Sequence, residues 1–364
     1  MLMPNYSYSD LFRHAIKLYS LIPVSLKNGY AFPPLIYQIL VTLRCNLNCD
    51  FCFQQKIRNE IPELSLEEIK KIIKQVPAWS VLTLTGGEPF LRKDFYEILD
   101  YTLKEKRLRC NIVTNASLID DRYISQFVEK RLFLLGISLD GIGATHDRLR
   151  NKPGLYDRVI DVIKEIQTAK KASKSKFPLI DIKTLVMREN FSELYDMLKL
   201  AETLGADFFT LSLPKLSDVQ FYPPYRRDMK EIFSARLLKA PETSPKELRI
   251  LEEQISLIKI HKGRTLVRFY PFNMLDIESI RKFFNNQLKA EDFYPCSIPW
   301  SAMYISPYGD VYTCLSYFIG NVRQEDFKKL WTSERYKKFR QMLNRKHLDE
   351  CCIGCCYSCY KSKT

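Results

Sequence analysis

Cys45, Cys49 and Cys52 stand in the string T-L-R-C-N-L-N-C-D-F-C-F, a C-x3-C-x2-C spacing that puts three thiols on one short loop. Thiolates are soft ligands suited to zinc and to iron–sulfur clusters. A cubane cluster takes four cysteine thiolates, one per iron, so three on a single loop would hold a cube and leave one iron open to a reactant. The competing chemistry is a structural zinc site. Such sites pair their cysteines as two C-x2-C units, and no second unit follows nearby. Downstream, Gly86-Gly87-Glu88-Pro89 closes the apolar run 81–85. Two glycines let the chain turn tightly and approach a ligand, and Glu88 brings an acceptor to the same place.

A second set of cysteines lies near the other end. Cys296 opens and Cys314 closes a stretch whose centre, Pro307-Tyr308-Gly309-Asp310, is a turn signal between two strand-like runs. A hairpin would bring these two cysteines to one locus. The tail then offers Cys351, Cys352, Cys355, Cys356 and Cys359. Cys110 opens an apolar strand and is expected in the core. Eleven cysteines with no signal-peptide pattern point to a reducing, cytoplasmic setting and to metal binding rather than disulfides.

The elements that must position these residues follow from periodicity. Strand-like runs at 35–42, 81–85, 109–114, 134–139, 179–186 and 207–213 alternate with helical patterns, which implies parallel strands with crossover helices. Ser65, with Glu68 three residues on, forms a capping box for the first of those helices. Thr114-Asn115, Ser138-Leu139-Asp140-Gly141 and then Arg150 all fall at or beyond C-terminal strand ends, the rim where barrel enzymes place their sites. Past Pro214 the alternation stops. Pro223-Pro224 and the run from Pro241 to Pro245 break up a segment whose main helix candidate is 248–260.

The cysteine loop, with Gly86-Gly87-Glu88-Pro89 one strand later, resembles the signature of the radical S-adenosylmethionine superfamily. The resemblance covers about half of the chain. It implies an α/β fold, an open (β/α)6 partial barrel of the TIM kind, with a small cysteine-rich α+β domain after it. It also implies a 4Fe–4S cluster on Cys45, Cys49 and Cys52, whose open iron is chelated by the amino and carboxylate groups of S-adenosylmethionine. Phe51 is then expected beside the adenine. Gly86, Gly87, Glu88 and Pro89 would hold the ligand's amino group, and Asn115, Ser138 and Asp140 its ribose. Arg150 would meet the ligand's carboxylate, with Arg148 as the competing arginine. In that family the reduced cluster cleaves the bound ligand to a 5′-deoxyadenosyl radical that abstracts hydrogen from a substrate.

The C-terminal cysteines, with Ile319-Gly320-Asn321 and Leu330-Trp331 between their two halves, look like a SPASM or twitch domain. Full SPASM domains hold two auxiliary clusters. The cysteine series here is short for that, so one auxiliary 4Fe–4S cluster is expected on Cys296, Cys314, Cys352 and Cys355. Cys356 and Cys359 are the alternative pair, and zinc is the alternative metal. The resulting expectation for domains is 1–34 for an N-terminal amphipathic helix, 35–214 for the radical core, 215–294 for a bridge and 295–364 for the auxiliary domain. The expected reaction is hydrogen abstraction from a peptide or protein side chain, with the auxiliary cluster as electron acceptor. Radical oxidation or carbon–carbon bond formation on a small molecule, a sugar or lipid precursor, is the rival. A non-catalytic cluster-bearing scaffold is a third reading, and the intact Gly-Gly-Glu-Pro turn argues against it. A reducing partner such as flavodoxin or ferredoxin is implied.

Composition narrows the remaining classes. Hydrophobic residues make up 46% and charged residues 27%, which excludes disordered and collagen-like chains. The net charge of +14 is spread along the sequence with no nucleic-acid motif beside it, so a solvated basic surface is expected and no nucleic-acid partner. Leu11, Ala15, Leu18 and Ile22 share one helical face. Packing of that face on its own domain is favoured over peripheral contact with an anionic membrane or a substrate carrier.

Overall fold

The computed structural model describes residues 8–52, 62–217, 238–313, 317–346 and 352–361. Cys314 and Cys351 lie outside the described residues. After helix α1 (Tyr8–Ser25), the chain alternates β1 (Ile36–Thr42), α2 (Leu66–Lys74), β2 (Val81–Gly86), α3 (Phe95–Asp100), β3 (Arg109–Thr114), α4 (Asp121–Glu129) and β4 (Leu134–Ser138). It continues with α5 (Ala144–Leu149), α6 (Leu155–Ala172), β5 (Leu179–Leu185), α7 (Leu194–Thr203) and β6 (Phe208–Ser212). Local chemistry sets the boundaries. Ser65 and Glu68 close the capping box at α2, and the Asp120 side chain accepts from Tyr123 N at the start of α4.

The six expected strands pair in parallel, in sequence order. The layer then extends further at both sides. Helix α8 (Pro245–Ile260), capped by Ser244 and Glu247, crosses over to β7 (Leu266–Tyr270), which pairs in parallel with β6. β7 falls within the stretch expected to be a bridge: the helix before it matches the candidate at 248–260, but Arg268 interrupts the apolar residues of the strand.

Beyond β7 come α9 (Ile277–Phe284), β8 (Phe293–Tyr294), β9 (Ala302–Ile305), β10 (Asp310–Tyr312), β11 (Phe318–Asn321), α10 (Phe327–Thr332), α11 (Glu334–Lys346) and β12 (Cys359–Tyr360). β9 pairs in parallel with β1 on its free side, and β10 and β11 continue antiparallel. The expected hairpin turn is present, with Gly309 at φ +86° between β9 and β10. The sheet therefore reads β11-β10-β9-β1-β2-β3-β4-β5-β6-β7 and remains open between its end strands.

Side chains alternate on each strand. Tyr37, Ile39 and Val41 on β1, Ile180 and Ile182 on β5, and Phe209 and Leu211 on β6 enter the helix-covered core. Each fully buried chain of this kind contributes roughly 1.5–3 kcal/mol. The opposite, concave face carries polar residues instead, among them Gln38, Asp181, Lys183 and Thr210.

Helix α1 divides its described residues between two environments. Ile16, Ser20 and Pro23 are buried, whereas Leu18, Leu21 and Ile22 are more than half exposed. The side chains of Leu11 and Ala15 lie outside the described residues. The segment after α1 is held by α11, where Gln341 Nε2 donates to Asn28 O and the buried Arg340 to Gly29 O. Among the described residues no helix is long and apolar enough to cross a membrane.

Candidate active site and auxiliary metal centre

The cysteine loop leaves the C-terminal end of β1, and that end is clamped from both sides. The buried Arg92 donates through Nη1 to Val41 O at 2.8 Å and through Nη2 to Leu64 O at 2.7 Å. Glu63 Oε1 accepts from Thr42 Oγ1 at 2.6 Å and from Leu43 N at 3.2 Å. The glycines of the second motif lie directly against this segment. Gly87 N donates to Thr42 O and Glu88 N to Arg44 O, both at 2.9 Å. A Cβ on Gly86 would sit 2.1 Å from Thr42 O and one on Gly87 2.2 Å from Arg44 O, and Gly86 has a φ of +152°. The motif therefore needs glycine because two backbones touch. Gly87→Ala is expected to push Arg44 and the adjoining loop outward, lowering bound iron while leaving the auxiliary site loaded. Iron per chain, counted anaerobically, checks this, and an unchanged count would contradict it.

Glu88 was expected at the rim with its carboxylate facing a ligand. It is fully buried, and its carboxylate binds the chain's own donors. Oε1 accepts from Phe90 N at 3.2 Å and Thr114 Oγ1 at 2.8 Å, and Oε2 accepts from Asn115 N at 2.8 Å. A carboxylate has about four lone-pair sites, so Oε2 retains one for a further donor. Asn115 extends the chain of contacts. Its Nδ2 donates to Asn46 Oδ1, inside the cysteine loop, at 3.1 Å, and its Oδ1 accepts from Ser117.

Burial raises the Glu88 pKa from 4.5 to about 7 against the opposing hydrogen bonds from Asn115 N, Thr114 and Phe90. The folded protein then binds this proton more tightly than the unfolded chain. The associated stability is complete below about pH 4.5 and is lost as pH rises through about 7. Glu88→Gln should be less stable, since its amide NH2 meets donors, but should lack this pH dependence. Denaturant melts at about pH 6 and about pH 8 check it, and a parent slope shared by the variant would contradict it.

On β4 the half-buried Ser138 ends the strand on the concave face. Asp140 follows and is buried. Its Oδ2 accepts from Arg150 Nε at 2.7 Å and pairs with Nη2 at 2.5 Å, while Oδ1 accepts from Leu185 N at 2.8 Å. Asp140 N donates to His146 Nδ1 at 3.0 Å, and burial pushes that imidazole down to about 4, so it is neutral. Arg150 thus reaches the cysteine loop already oriented by Asp140. Its guanidinium lies 5.3 Å from the centre of the Phe51 ring, and its carbonyl faces Cys49 Sγ at 3.8 Å. Arg148 instead donates to Thr145 Oγ1 at 3.4 Å on its own helix.

The three thiols converge. Cys49 is pushed up to about 11 by burial, opposed by Arg150 and reinforced by Cys52 and Cys45. Cys45 is likewise raised, by burial first. Among the described residues no three His, Cys, Asp or Glu side chains close on a single ion. A single-metal zinc site needs that closure, whereas a cube places each thiolate on a different iron. Three neighbouring thiols with Arg150 close by are a donor set that fits such a cube.

In the C-terminal region Cys296, Cys352, Cys355 and Cys356 form a second group of interacting thiols. Cys296 is pushed up to about 12 by burial and by Cys352 and Cys356. Cys355 lies beside Cys356 and feels Cys296. Cys356 is lowered, by its hydrogen bond from Cys355 and by Lys215 and Lys183. Cys359 lies on β12 opposite Tyr294 of β8, with its Sγ accepting from Asn273 Nδ2 at 3.5 Å.

Sequence reading passed over Asp181, Lys183, Thr210, Lys215 and Arg268. The available signal was charge at alternate positions of a parallel strand, L-I-D-I-K-T-L, where strands covered on both faces are normally apolar throughout.

Comparison with known proteins agrees with this geometry. Residues 39–201 match the radical SAM superfamily, and residues 296–359 match an iron-sulfur cluster-binding domain. The chain is similar to the AdoMet-dependent heme synthase of Methanosarcina barkeri, 27% identical over 332 residues and covering 87% of each chain. It is also similar to the antilisterial bacteriocin subtilosin biosynthesis protein AlbA of Bacillus subtilis, 24% identical over 93% of this chain and 70% of that one. Among solved structures, Streptococcus suis SuiB bound to the precursor peptide SuiA superposes with a TM-score of 0.62 at 16% identity, over 93% of this chain and 73% of that one.

Proposed function

Since this chain is a radical S-adenosylmethionine enzyme with a C-terminal auxiliary iron–sulfur domain, we propose that it oxidises a peptide or protein side chain by hydrogen abstraction. Its cofactors are S-adenosylmethionine and 4Fe–4S clusters, and when bound they supply a 5′-deoxyadenosyl radical and an acceptor for the substrate's electron. Cys45, Cys49 and Cys52 hold the cluster that takes the ligand. Glu88 and Asn115 fix the motif loop, and Asp140 orients Arg150 for a carboxylate, which a guanidinium fork suits. Cys296, Cys352, Cys355 and Cys356 are the described candidates for the auxiliary cluster, with Cys314 as a further one.

One observation carries this reading. Ser138 and Lys183 are register partners across β4 and β5, and Lys183 interacts with Cys356. This supports a substrate site on the concave face between the strand ends and the second thiol group. The peptide is favoured because AlbA acts in bacteriocin biosynthesis and SuiB binds a precursor peptide. A tetrapyrrole is the second reading, supported by the similarity to a heme synthase.

The test incubates reduced holoenzyme and S-adenosylmethionine with any short peptide found encoded beside its gene, and separately with an iron porphyrin. The peptide is expected to lose two hydrogen masses as 5′-deoxyadenosine is released. A modified porphyrin with an unchanged peptide would replace the first reading by the second.

A further inference from the structure

Among the described residues of the concave face, one carboxylate is shared by two cations. Asp181, Lys183, Thr210 and Arg268 sit there on β5, β6 and β7. Asp181 is fully buried. Its Oδ1 accepts from Thr210 Oγ1 at 2.6 Å, and its Oδ2 pairs with Lys183 Nζ at 2.7 Å and Arg268 Nη1 at 3.4 Å. One carboxylate thus faces two cations, and it is the only acid that forms an ion pair with either of them among the described residues.

Neither cation is fully used. The Lys183 side chain keeps 30% of its surface exposed. The buried Arg268 Nε has no hydrogen-bond partner, and its guanidinium lies 3.3 Å from the centre of the Phe208 ring. Lys183 also lies across Gly136 of the next strand, where a Cβ would come within 2.6 Å of its Cε. A side chain at 136 would displace it. Lys215 faces Cys355 and Cys356, whereas Lys183 pairs with Asp181 and also lies near Cys356.

Two cations that share one buried carboxylate are only partly compensated, and a second hydrogen-bonded anion would complete their pairing. We propose that Lys183 and Arg268 form an anion site that takes a carboxylate of the substrate and sets it between the two thiol groups. This rests on the concave face being the substrate site. The carboxylate has two candidate sources, an acidic side chain of a peptide and a propionate of a tetrapyrrole, and both present the same oxygens to the same donors. A neutral substrate would leave Asp181 as the one carboxylate that Lys183 and Arg268 share.

The experiment measures equilibrium binding to anaerobic holoenzyme with S-adenosylmethionine present. It uses two matched probe pairs, an acetylated glutamyl tetrapeptide with its glutaminyl counterpart, and protoporphyrin with its dimethyl ester. In one pair the acid should bind about tenfold tighter than the neutral partner, the worth of one charge-assisted hydrogen bond. The pair that discriminates identifies the source. Lys183→Met should bring that ratio to near one with unchanged affinity for S-adenosylmethionine, and Asp181→Asn should keep or raise it, which structural damage would not do. Equal binding within both pairs, no binding of either acid, or a ratio that survives Lys183→Met overturns the anion site. Absence of S-adenosylmethionine cleavage in the parent would instead overturn the radical reading itself.

Discussion

Replacing Cys45, Cys49 and Cys52 together by alanine is expected to abolish release of 5′-deoxyadenosine. The parent, reconstituted anaerobically and reduced with dithionite, should release it steadily. The variant should fall below about one-thousandth of the parent rate, about 4 kcal/mol of lost transition-state stabilisation. The reason is local. These thiols converge on one loop, and the surrounding contacts of Arg92, Glu63, Gly87 and Asn115 exist independently of the sulfur atoms. The fold should therefore survive, which circular dichroism can confirm. Product release by the folded triple variant would disprove the assignment.

The second large effect concerns the auxiliary cysteines. In the triple variant about four irons per chain should remain, the content of one cube. Adding Cys352→Ala and Cys355→Ala should remove them, because both belong to the thiol group around Cys296. Adding Cys359→Ala should leave them in place, since that sulfur accepts from Asn273 on the β8–β12 ribbon. Loss of iron with Cys359→Ala alone would move a ligand to the ribbon. About eight irons in the triple variant would mean two auxiliary clusters. Zinc in place of iron would remove any electron-acceptor role, since zinc has no redox chemistry.

The parallel strands were legible because an apolar run, a turn and an amphipathic helix repeat at regular intervals from β1 to β6. β7 was not legible, since Arg268 interrupts its five residues, although the helix before it was expected at 248–260. The two glycines were legible as a tight turn. That they are required by contact with Thr42 and Arg44 depends on a neighbour more than forty residues away. Glu88 shows the limit most clearly. Its position after a strand end suggests a rim carboxylate, yet Thr114 and Asn115 arrive from β3 to cover it. The charges on the concave face were visible as letters, but their pairing depends on which strands are neighbours.

The central claim is that the first thiol group holds the cluster that meets S-adenosylmethionine and the second holds one that does not. Electron paramagnetic resonance of the dithionite-reduced protein, with and without S-adenosylmethionine, tests this directly. The parent spectrum should change on addition of the ligand, whereas the signal remaining in the Cys45→Ala, Cys49→Ala, Cys52→Ala variant should be identical with and without it. A ligand-induced change in that variant would place the open iron in the C-terminal domain and contradict the account.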